Sequence, residues 1–510
     1  RAVAEHSRSS TFLTADGVVP SNEGRGYVLR RVIRRTIRLG KKLGIEDNFM
    51  SDMSEIVINN MSSIYPELAN NKDFIMTVLE LEEERFQQAF VNGYAMLEQS
   101  LANDRALTGK TIFQLWDTYG FPVEVTKEIA SEKNIPIDMI GFEKEMNKQR
   151  ERARSKAQFA DDHARINLYR NIGIVTTKFT GYENLSGNSV VVGLISGSTN
   201  VNFATAGNDV EVILRETPFY SEGGGQVGDE GEISNSEITV KVSDTKEGIP
   251  GVTVHFGKVT KGTIKLGESV TATVDKEKRL DAARNHTATH MLHAALRHVL
   301  GAHVRQAGSL VAPDRLRFDF SHVKPLTKEE LWEVQYLVNE KIRNNGQVTH
   351  GENTYAKAIE QGALAFFGDK YEETVRTIEI SNGRRFSLEV CGVTHVHQTG
   401  EIGNVAIIGE SSIGAGMRRI EAVTGRAAEL LAWEKSSRET RLADTLQTST
   451  PELEAKISSL LNDIDDINTK YQNVQQRLSL QSAASSLEKS NIVNGINVIS
   501  DVTQSGSMDI

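Results

Sequence analysis

The sequence has a single cysteine and no long apolar run. Cys391 is alone among 510 residues, so no disulfide can form within the chain, and a reducing, cytoplasmic location is expected. No stretch approaches the roughly 20 apolar residues that span a bilayer, and no charged-then-apolar leader follows Arg1. A P-loop string is also missing. These absences exclude a disulfide-bonded scaffold and predict a chain that does not meet a membrane.

The remaining composition is that of an ordinary globular protein, with 39% hydrophobic and 25% charged residues. The length predicts two to four domains. Because the net charge is −10, any RNA contact must come from a local basic patch. The chain starts with Arg1, and its last apolar segment, Ile492 to Val502, stops near the end. We therefore expect an internal fragment of a longer protein.

One basic patch is evident near the amino terminus. Leu29, Ile33 and Ile37 repeat every four residues, which predicts a helix with one buried stripe. Around this stripe lie eight cations and no acid between residues 25 and 42: Arg25, Arg30, Arg31, Arg34, Arg35, Arg38, Lys41 and Lys42. A solvated helix face would explain them. We favour an RNA contact, because eight uncompensated cations repel one another and a polyanion would relieve that repulsion.

Composition and periodicity predict a multidomain α+β protein with five segments. Residues 1–165 are helical. Residues 166–279 differ in composition, with sixteen of the 41 glycines between 168 and 278, and are β-rich, since Val270, Ala272 and Val274 alternate with polar residues. Residues 280–425 alternate helix and strand patterns. Residues 426–490 are helical again, and 491–510 begin a further domain.

The helical tail has a heptad pattern. Apolar residues recur at spacings of four and three over more than three repeats: Leu453, Ile457, Leu460, Ile464, Ile467, Tyr471, Val474 and Leu478. This predicts a coiled coil or a helical hairpin. The partner is either another chain, which would make a homo-oligomer through this region, or the flanking helix at about 426–446.

Histidine gives the sharpest chemical signal, since nine of twelve lie between residues 286 and 397. His286 and His290 are one helical turn apart and can share a metal. Cys391 also has a histidine, His395, four residues on. A thiolate with imidazoles suits Zn²⁺ better than Mg²⁺ or Ca²⁺. Spacing leaves two further histidines, at 293 and 397, as competing ligands.

Longer strings make the resemblance to a family specific. His286-Thr-Ala-Thr-His290 and Cys391-Gly-Val-Thr-His395 resemble the metal motifs of the editing domain of bacterial-type alanyl-tRNA synthetases, which is shared with AlaX proteins. Further strings resemble the same family in the same order: Ser21 to Tyr27, Trp116 to Pro122, Pro218 to Asp229, Gly308 to Leu310, Leu316 to His322, Phe367 to Tyr371, Thr399 to Gly403 and Arg418 to Gly425.

The resemblance implies a fold and a chemistry. By resemblance, the segments are assigned in chain order as a helical tRNA-recognition domain, a small β-barrel, an AlaX-like α/β editing domain and coiled-coil helices. The family's editing domain hydrolyses Ser or Gly wrongly esterified to the alanine tRNA, tRNA(Ala). By resemblance, one zinc ion is held by His286, His290, Cys391 and His395, and the editing pocket contains Gln306, Gly224, Gly225, Gln226 and Thr394.

The resemblance also assigns the RNA contacts. Asn22 and Asp117 match the positions that read the G·U pair of the tRNA acceptor stem, where an amide donates and accepts and a carboxylate accepts from guanine. Capping a helix and forming a turn are the structural alternatives. Five arginines then contact phosphates: Arg30, Arg31, Arg34, Arg35 and Arg38. The ATP- and Mg²⁺-dependent aminoacylation core of the ligase would precede Arg1.

Two departures and two alternatives accompany this interpretation. This chain has Val393 where the family usually has Gly, and Gly223 where the family usually has Ser. Because valine is β-branched, we expect a stiffer backbone at Val393, between two of the proposed metal ligands. One alternative is an RNA-binding fragment with a purely structural zinc. The other is a free-standing AlaX-type editing protein, against which the long helical region argues.

Overall fold

The protein is described from a computed structural model. The described residues are 1–21, 24–103, 106–118, 121, 123–154, 165–170, 172–173, 176–365, 372–414, 416–488 and 491–498. The chain forms two compact units, Arg1–Glu429 and Leu430–Ile510. No helix in the described part of the chain is long and apolar enough to cross a membrane.

The first part of the larger unit is helical in its described residues. Its helices are α1 (Ala2–Ala15), α2 (Gly24–Lys42), α3 (Met50–Met61), α4 (Pro66–Asn70), α5 (Lys72–Asn103), α6 (Gly109–Asp117), α7 (Val123–Glu132) and α8 (Met139–Arg154). The predicted stripe of α2 is confirmed, because Leu29, Ile33 and Ile37 are all buried. They pack in one core with Leu79 and Phe86 of α5. The four-residue spacing of the stripe thus fixes which face of α2 meets the other helices.

The glycine-rich segment folds as a small β-barrel. Its strands are β1 (Lys178–Phe179), β2 (Ser186–Ser196), β3 (Thr199–Asn200), β4 (Phe203–Thr205), β5 (Asp209–Leu214), β6 (Glu216–Thr217), β7 (Gly231–Ser234), β8 (Thr239–Ile249), β9 (Val252–Lys261), β10 (Thr263–Lys265) and β11 (Ser269–Val274). Six of them run in the order β11-β7-β8-β9-β5-β2, and β11 pairs again with β2. The predicted alternation is confirmed at Val270, Ala272 and Val274, whose side chains are buried inside the barrel.

The third part combines helices with two antiparallel sheets. Its elements are α9 (Lys276–Leu300), β12 (Gln306–Val311), β13 (Leu316–Ser321), α10 (Lys328–Arg343), β14 (Gln347–Thr354), α11 (Tyr355–Glu360), β15 (Thr374–Asn382), β16 (Arg384–Val390), β17 (Val405–Gly414) and β18 (Met417–Thr424). One sheet has the order β12-β13-β18-β17 and the other β14-β15-β16. Helix α9 crosses both, since its Met291 and Leu292 share a core with Phe318 of β13 and Ile378 of β15.

The smaller unit contains most of α12 (Gly425–Thr445), then α13 (Leu453–Glu488) and a hairpin of β19 (Asn491–Val493) and β20 (Ile496–Val498). Asn494 and Gly495 turn the hairpin with positive φ angles of 55° and 81°, as a two-residue Asn-Gly turn requires. The heptad segment is helical throughout. Its residues from Ile464 to Leu478 are exposed, so the partner of this seam stays a prediction.

Candidate metal centre

The first pair of predicted ligands lies on α9. This helix begins at Asp275, whose carboxylate accepts hydrogen bonds from the backbone N–H groups of Glu277 and Lys278, both at 3.1 Å. Eleven residues later the helix is inside the core, where His286 and His290 are 3% and 5% exposed. One helical turn separates them, so both imidazoles leave the same face.

The second pair lies in the loop that follows β16. The N–H of Cys391 donates to the carbonyl of Arg376 on β15 at 2.9 Å. At the other end of the loop, Thr287 of α9 contacts Nδ1 of His395 through its hydroxyl at 3.2 Å and accepts from the N–H of Val396 at 3.2 Å. The loop is therefore tied to the sheet on one side and to the histidine helix on the other.

These elements bring the four predicted ligands together. The ligand atoms of His286, His290, Cys391 and His395 all lie within 4.8 Å of one another. Sγ of Cys391 is 3.5 Å from Nε2 of His286 and 3.4 Å from Nε2 of His395. A tetrahedral zinc with ordinary Zn–S and Zn–N bonds separates such atoms by about 3.5 Å. One sulfur and three imidazole nitrogens thus fit zinc by spacing as well as by chemistry.

The pKa shifts within the cluster favour metal binding by the same four side chains. Burial alone would raise the pKa of the Cys391 thiol, but the neighbouring rings of His286, His290 and His395 lower it well below its usual value. Burial lowers the pKa of His395 to about 3, which leaves that ring neutral. Burial also lowers the pKa of His290, but the charges of Glu389 and Cys391 outweigh it and raise the pKa to about 10. A cation bound at this ring would displace its second proton.

The residue that the sequence interpretation missed is Glu389. Its buried carboxylate accepts a hydrogen bond from Nδ1 of His290 at 2.7 Å and another from Nδ1 of His293 at 2.9 Å. Burial would raise the pKa of Glu389, but the two imidazoles lower it far below the usual range. His293, which the spacing also allowed as a ligand, therefore bonds to Glu389 and supports the cluster indirectly. One signal was available, because Glu389 and Cys391 are two residues apart and face the same side of an extended chain.

A cavity of about 450 Å³ opens beside the cluster. Of the predicted pocket residues, Gly224, Gly225 and Gln306 line it, together with Ser309, whose hydroxyl accepts from Nε2 of Gln306 at 3.1 Å. The remaining two predicted residues bond to each other instead. Nε2 of Gln226 donates to the Thr394 hydroxyl at 2.9 Å, and this bond joins the barrel to the loop that carries Cys391.

The glycine-rich loop approaches the cluster closely. Gly224 has φ of +58°, and a Cβ there would lie 2.5 Å from Cγ2 of Val393; Gly225 has φ of +83°, and its Cβ would lie 2.2 Å from Oγ of Ser309. Both positions therefore require glycine. One of the two departures from the family pattern, Val393, lies here, and the other, Gly223, is adjacent in sequence to Gly224. Val393 packs on Gly224, the immediate neighbour of Gly223, so its bulk fills space that the glycine loop leaves open.

The residues predicted to contact RNA differ in their exposure, and one of them is not described. Asp117 ends α6 and is exposed, whereas Asn22 and the string from 367 to 371 lie outside the described residues. The expectation of uncompensated cations on α2 is wrong for four of the eight, Arg30, Arg34, Arg35 and Arg38. Arg30 and Arg34 are buried against Glu82, with Nε–Oε1 distances of 3.3 and 2.7 Å, and buried Arg38 pairs with Glu128.

The sequence did not predict these ion pairs because the acidic partners are distant along the chain from the arginines of α2. Acids of α5 and α7 supply the countercharge, and no local pattern in α2 reveals them. Burial removes Arg30, Arg34 and Arg38 from contact with a phosphate in this structure. Among the five predicted arginines, Arg31 and Arg35 are exposed, and Arg35 also pairs with Glu128 at 3.7 Å.

Known proteins align with nearly the whole chain. Residues 1–278 match the family described as tRNA synthetases class II (A), and residues 375–421 match the threonyl and alanyl tRNA synthetase second additional domain. An alanine–tRNA ligase of Thermoanaerobacter sp. strain X514 is 42% identical over 505 residues, which cover 98% of this chain and 57% of the relative.

Two further relatives agree. Alanine–tRNA ligases of Dehalococcoides mccartyi strain BAV1 and Hydrogenovibrio crunogenus are each 42% identical and cover 98% of this chain, and 58% and 57% of their own lengths. The chain thus spans somewhat more than half the length of the relatives that it matches. The second additional domain match contains Cys391 and His395, so the loop from Cys391 to His395, called the metal loop below, lies in a segment that the family defines. The chain belongs to the alanyl-tRNA synthetase family.

Proposed function

We propose that this chain hydrolyses tRNA(Ala) that carries Ser or Gly, at a zinc site in the editing part of an alanine–tRNA ligase. The observation that carries this proposal is the cluster of His286, His290, Cys391 and His395, the first three of which line a cavity that also contains Gln306. A metal that only stabilises a fold has no need of a neighbouring cavity with a polar side chain.

The reaction answers a chemical need. A pocket that selects Ala cannot strongly reject Gly, which lacks one methyl group, or Ser, which adds a hydroxyl. A second site that accepts the wrong product and hydrolyses its ester restores accuracy. For the complete protein we propose ligation of Ala to tRNA(Ala), with the ATP and Mg²⁺ that alanyl-tRNA synthetases use, in the cytoplasm.

The protein's own groups supply orientation and selectivity. Gln306 lines the cavity, and its amide can bond the seryl hydroxyl in place of Ser309. Gly224 and Gly225 contribute a part of the cavity wall that has no side chains. Glu389 fixes the orientation of the His290 ring. Zinc, when bound, supplies a Lewis acid next to the ester.

The RNA is held by residues remote from the cavity. We propose that exposed Asp117, with Asn22, reads the acceptor stem through the shallow groove of the A-form helix. Exposed Arg31 and Arg35 of α2 would contact phosphates, which position the RNA without selecting it.

A structural zinc is the second candidate, because four protein ligands are characteristic of closed structural sites. The free-standing AlaX alternative loses support, since 98% of the chain aligns with alanine–tRNA ligases. Hydrolysis separates the two remaining candidates.

The test follows Ser-tRNA(Ala) and Ala-tRNA(Ala) with this protein, with and without a zinc chelator. We expect loss of Ser alone, abolished by chelation and by His290→Ala. The matched control is His298→Ala, an exposed histidine on the same helix, which should leave hydrolysis unchanged. If Ser stays attached while zinc and tRNA are bound, the hydrolytic proposal is wrong and the structural zinc is favoured.

A further inference from the structure

Arg376 occupies an unusual position between two cavities. The first, of about 450 Å³, also contains His286, His290 and Cys391. The second, of about 520 Å³, lies on the other side of the metal loop and contains His395 and Tyr182. Arg376 lines both, and its carbonyl accepts the N–H of Cys391 at 2.9 Å. Arg376 is therefore adjacent to any molecule whose reacting end reaches the metal cluster.

The guanidinium is held in place by an aromatic ring. Its central carbon lies 3.5 Å from the centre of the Tyr182 ring, and the Tyr182 hydroxyl donates to the carbonyl of Gly392 at 2.6 Å. Stacking on a ring that is itself anchored to the metal loop lowers the entropy that Arg376 would lose on binding a ligand.

The same guanidinium has an unsatisfied hydrogen-bond donor. Nη1 of Arg376 is buried and has no hydrogen-bond partner among the described residues. Nearby arginines of the same unit are satisfied by carboxylates: Arg279 pairs with Asp229, and Arg419 donates twice to Asp319, at 2.6 and 2.7 Å. A buried donor without a partner is costly, and a planar guanidinium is suited to an oxyanion with two acceptor oxygens.

We propose that Arg376 binds the phosphodiester that precedes the terminal nucleoside of the aminoacylated RNA. This inference rests on the proposed function for the location of the ester, next to the metal cluster. An aminoacyl ester has no free carboxylate, because the ester consumes it, and its amino group is cationic. The anion nearest to the ester in such a substrate is a phosphodiester. Arg376 thus places the 3′ end, and the cavity with Gln306 receives the amino acid.

Binding of two small probes tests the phosphate directly. Cytidylyl-(3′→5′)-adenosine contains one phosphodiester, and adenosine contains none. We expect the wild-type protein to bind the dinucleoside about tenfold more tightly than adenosine, as one charge-assisted hydrogen-bonded pair provides. In Arg376→Ala the advantage should vanish, and the salt slope for the dinucleoside should fall by about 0.7. Arg376→Lys should retain only part of the affinity advantage of the dinucleoside over adenosine.

Controls keep the result specific. Arg315→Ala removes an exposed arginine that pairs with Asp314 at 3.2 Å and should keep the full advantage. Zinc content, measured for every variant, shows whether the metal loop is intact. An equal affinity of the wild type for both probes, or an unchanged ratio in Arg376→Ala, overturns the proposal.

Hydrolysis gives a second readout. Arg376→Ala should raise KM for Ser-tRNA(Ala) and leave hydrolysis of seryl-adenosine, which has no phosphodiester, unchanged. An equal loss for both substrates would make Arg376 a support for the metal loop and overturn phosphate binding. If the wild type hydrolyses neither substrate, the proposed function fails, whereas the ratio of the two probe affinities still decides the role of Arg376.

Discussion

The carboxylate of Glu389 accepts a hydrogen bond from Nδ1 of His290 at 2.7 Å. Because a carboxylate can only accept, Nδ1 must be protonated, so Nε2 is the nitrogen that offers its lone pair once a metal displaces the second proton. That nitrogen is buried and has no hydrogen-bond partner among the described residues, and the ligand atoms of the cluster surround it. Glu389 thus selects the tautomer that a metal requires.

Glu389→Gln should weaken zinc binding by about 10- to 100-fold. The amide oxygen can accept from one of the two imidazoles, but the other imidazole would then face an N–H group, and the negative charge is lost. Competition with a chromophoric chelator measures the dissociation constant. Glu379→Gln is the matched control, because Glu379 lies on the neighbouring strand and pairs with Arg385 at 3.2 Å. Equal zinc affinities for wild type and Glu389→Gln would remove the orienting role.

Gly224→Ala should destabilise the protein by about 1–3 kcal/mol, because alanine is strained at positive φ. Its methyl group would also collide with Val393, as Cγ2 lies 2.5 Å from the Cβ position. Val393→Ala removes that collision but not the strain. In a double-mutant cycle of urea unfolding, the pair should therefore show a coupling of about 0.5–3 kcal/mol in the favourable direction. Strict additivity would mean that the two side chains do not compete for one space.

The barrel should lose stability at mildly acidic pH through His255. Nδ1 of this buried ring donates to the carbonyl of Val212 at 2.9 Å, and Nε2 accepts from the Thr217 hydroxyl at 2.7 Å. Burial lowers its pKa to about 4, against the weaker effect of the Val212 carbonyl. An unfolded histidine has a pKa of about 6.5, so the unfolded chain binds a proton first as the pH falls.

The sign follows from linkage. Stability from His255 is fully present above pH 6.5 and is lost as the pH falls from about 6.5 to about 4, by up to about 3 kcal/mol. Urea unfolding at several pH values measures this slope. His255→Gln should flatten it relative to wild type, while His298→Ala, an exposed histidine on α9, should not. Parallel curves for wild type and His255→Gln would contradict the prediction.

Local patterns predicted what depends on near neighbours. The stripe of Leu29 and Ile33, the alternation of β11, and the helical turn between His286 and His290 all follow from the geometry of one element. The β-rich segment and the mixed helix-and-strand segment followed from the order of such patterns, whereas the barrel followed from the resemblance. The metal cluster needed one long-range step, from α9 to the loop after β16, and the resemblance supplied it.

What could not be predicted depends on partners far apart in sequence. Arg34 pairs with Glu82 across 48 residues, so part of a patch that is basic in sequence is buried and paired in the fold. Val393 meets Gly224 only because the barrel docks on the metal loop. Glu389 had the correct spacing from Cys391, but strand alternation does not say what a strand faces.

The heptad seam of α13 should drive association between copies of the chain. Ile464, Ile467 and Tyr471 lie on this seam and are 53%, 63% and 60% exposed, an apolar face that a second helix would cover. Sedimentation at micromolar concentrations should show an oligomer, and Ile467→Lys should dissociate it because a charge enters the apolar interface. Thr469→Lys, at an exposed position two residues off the seam, should leave it intact. A monomeric wild type would instead favour the flanking helix as the partner of the seam.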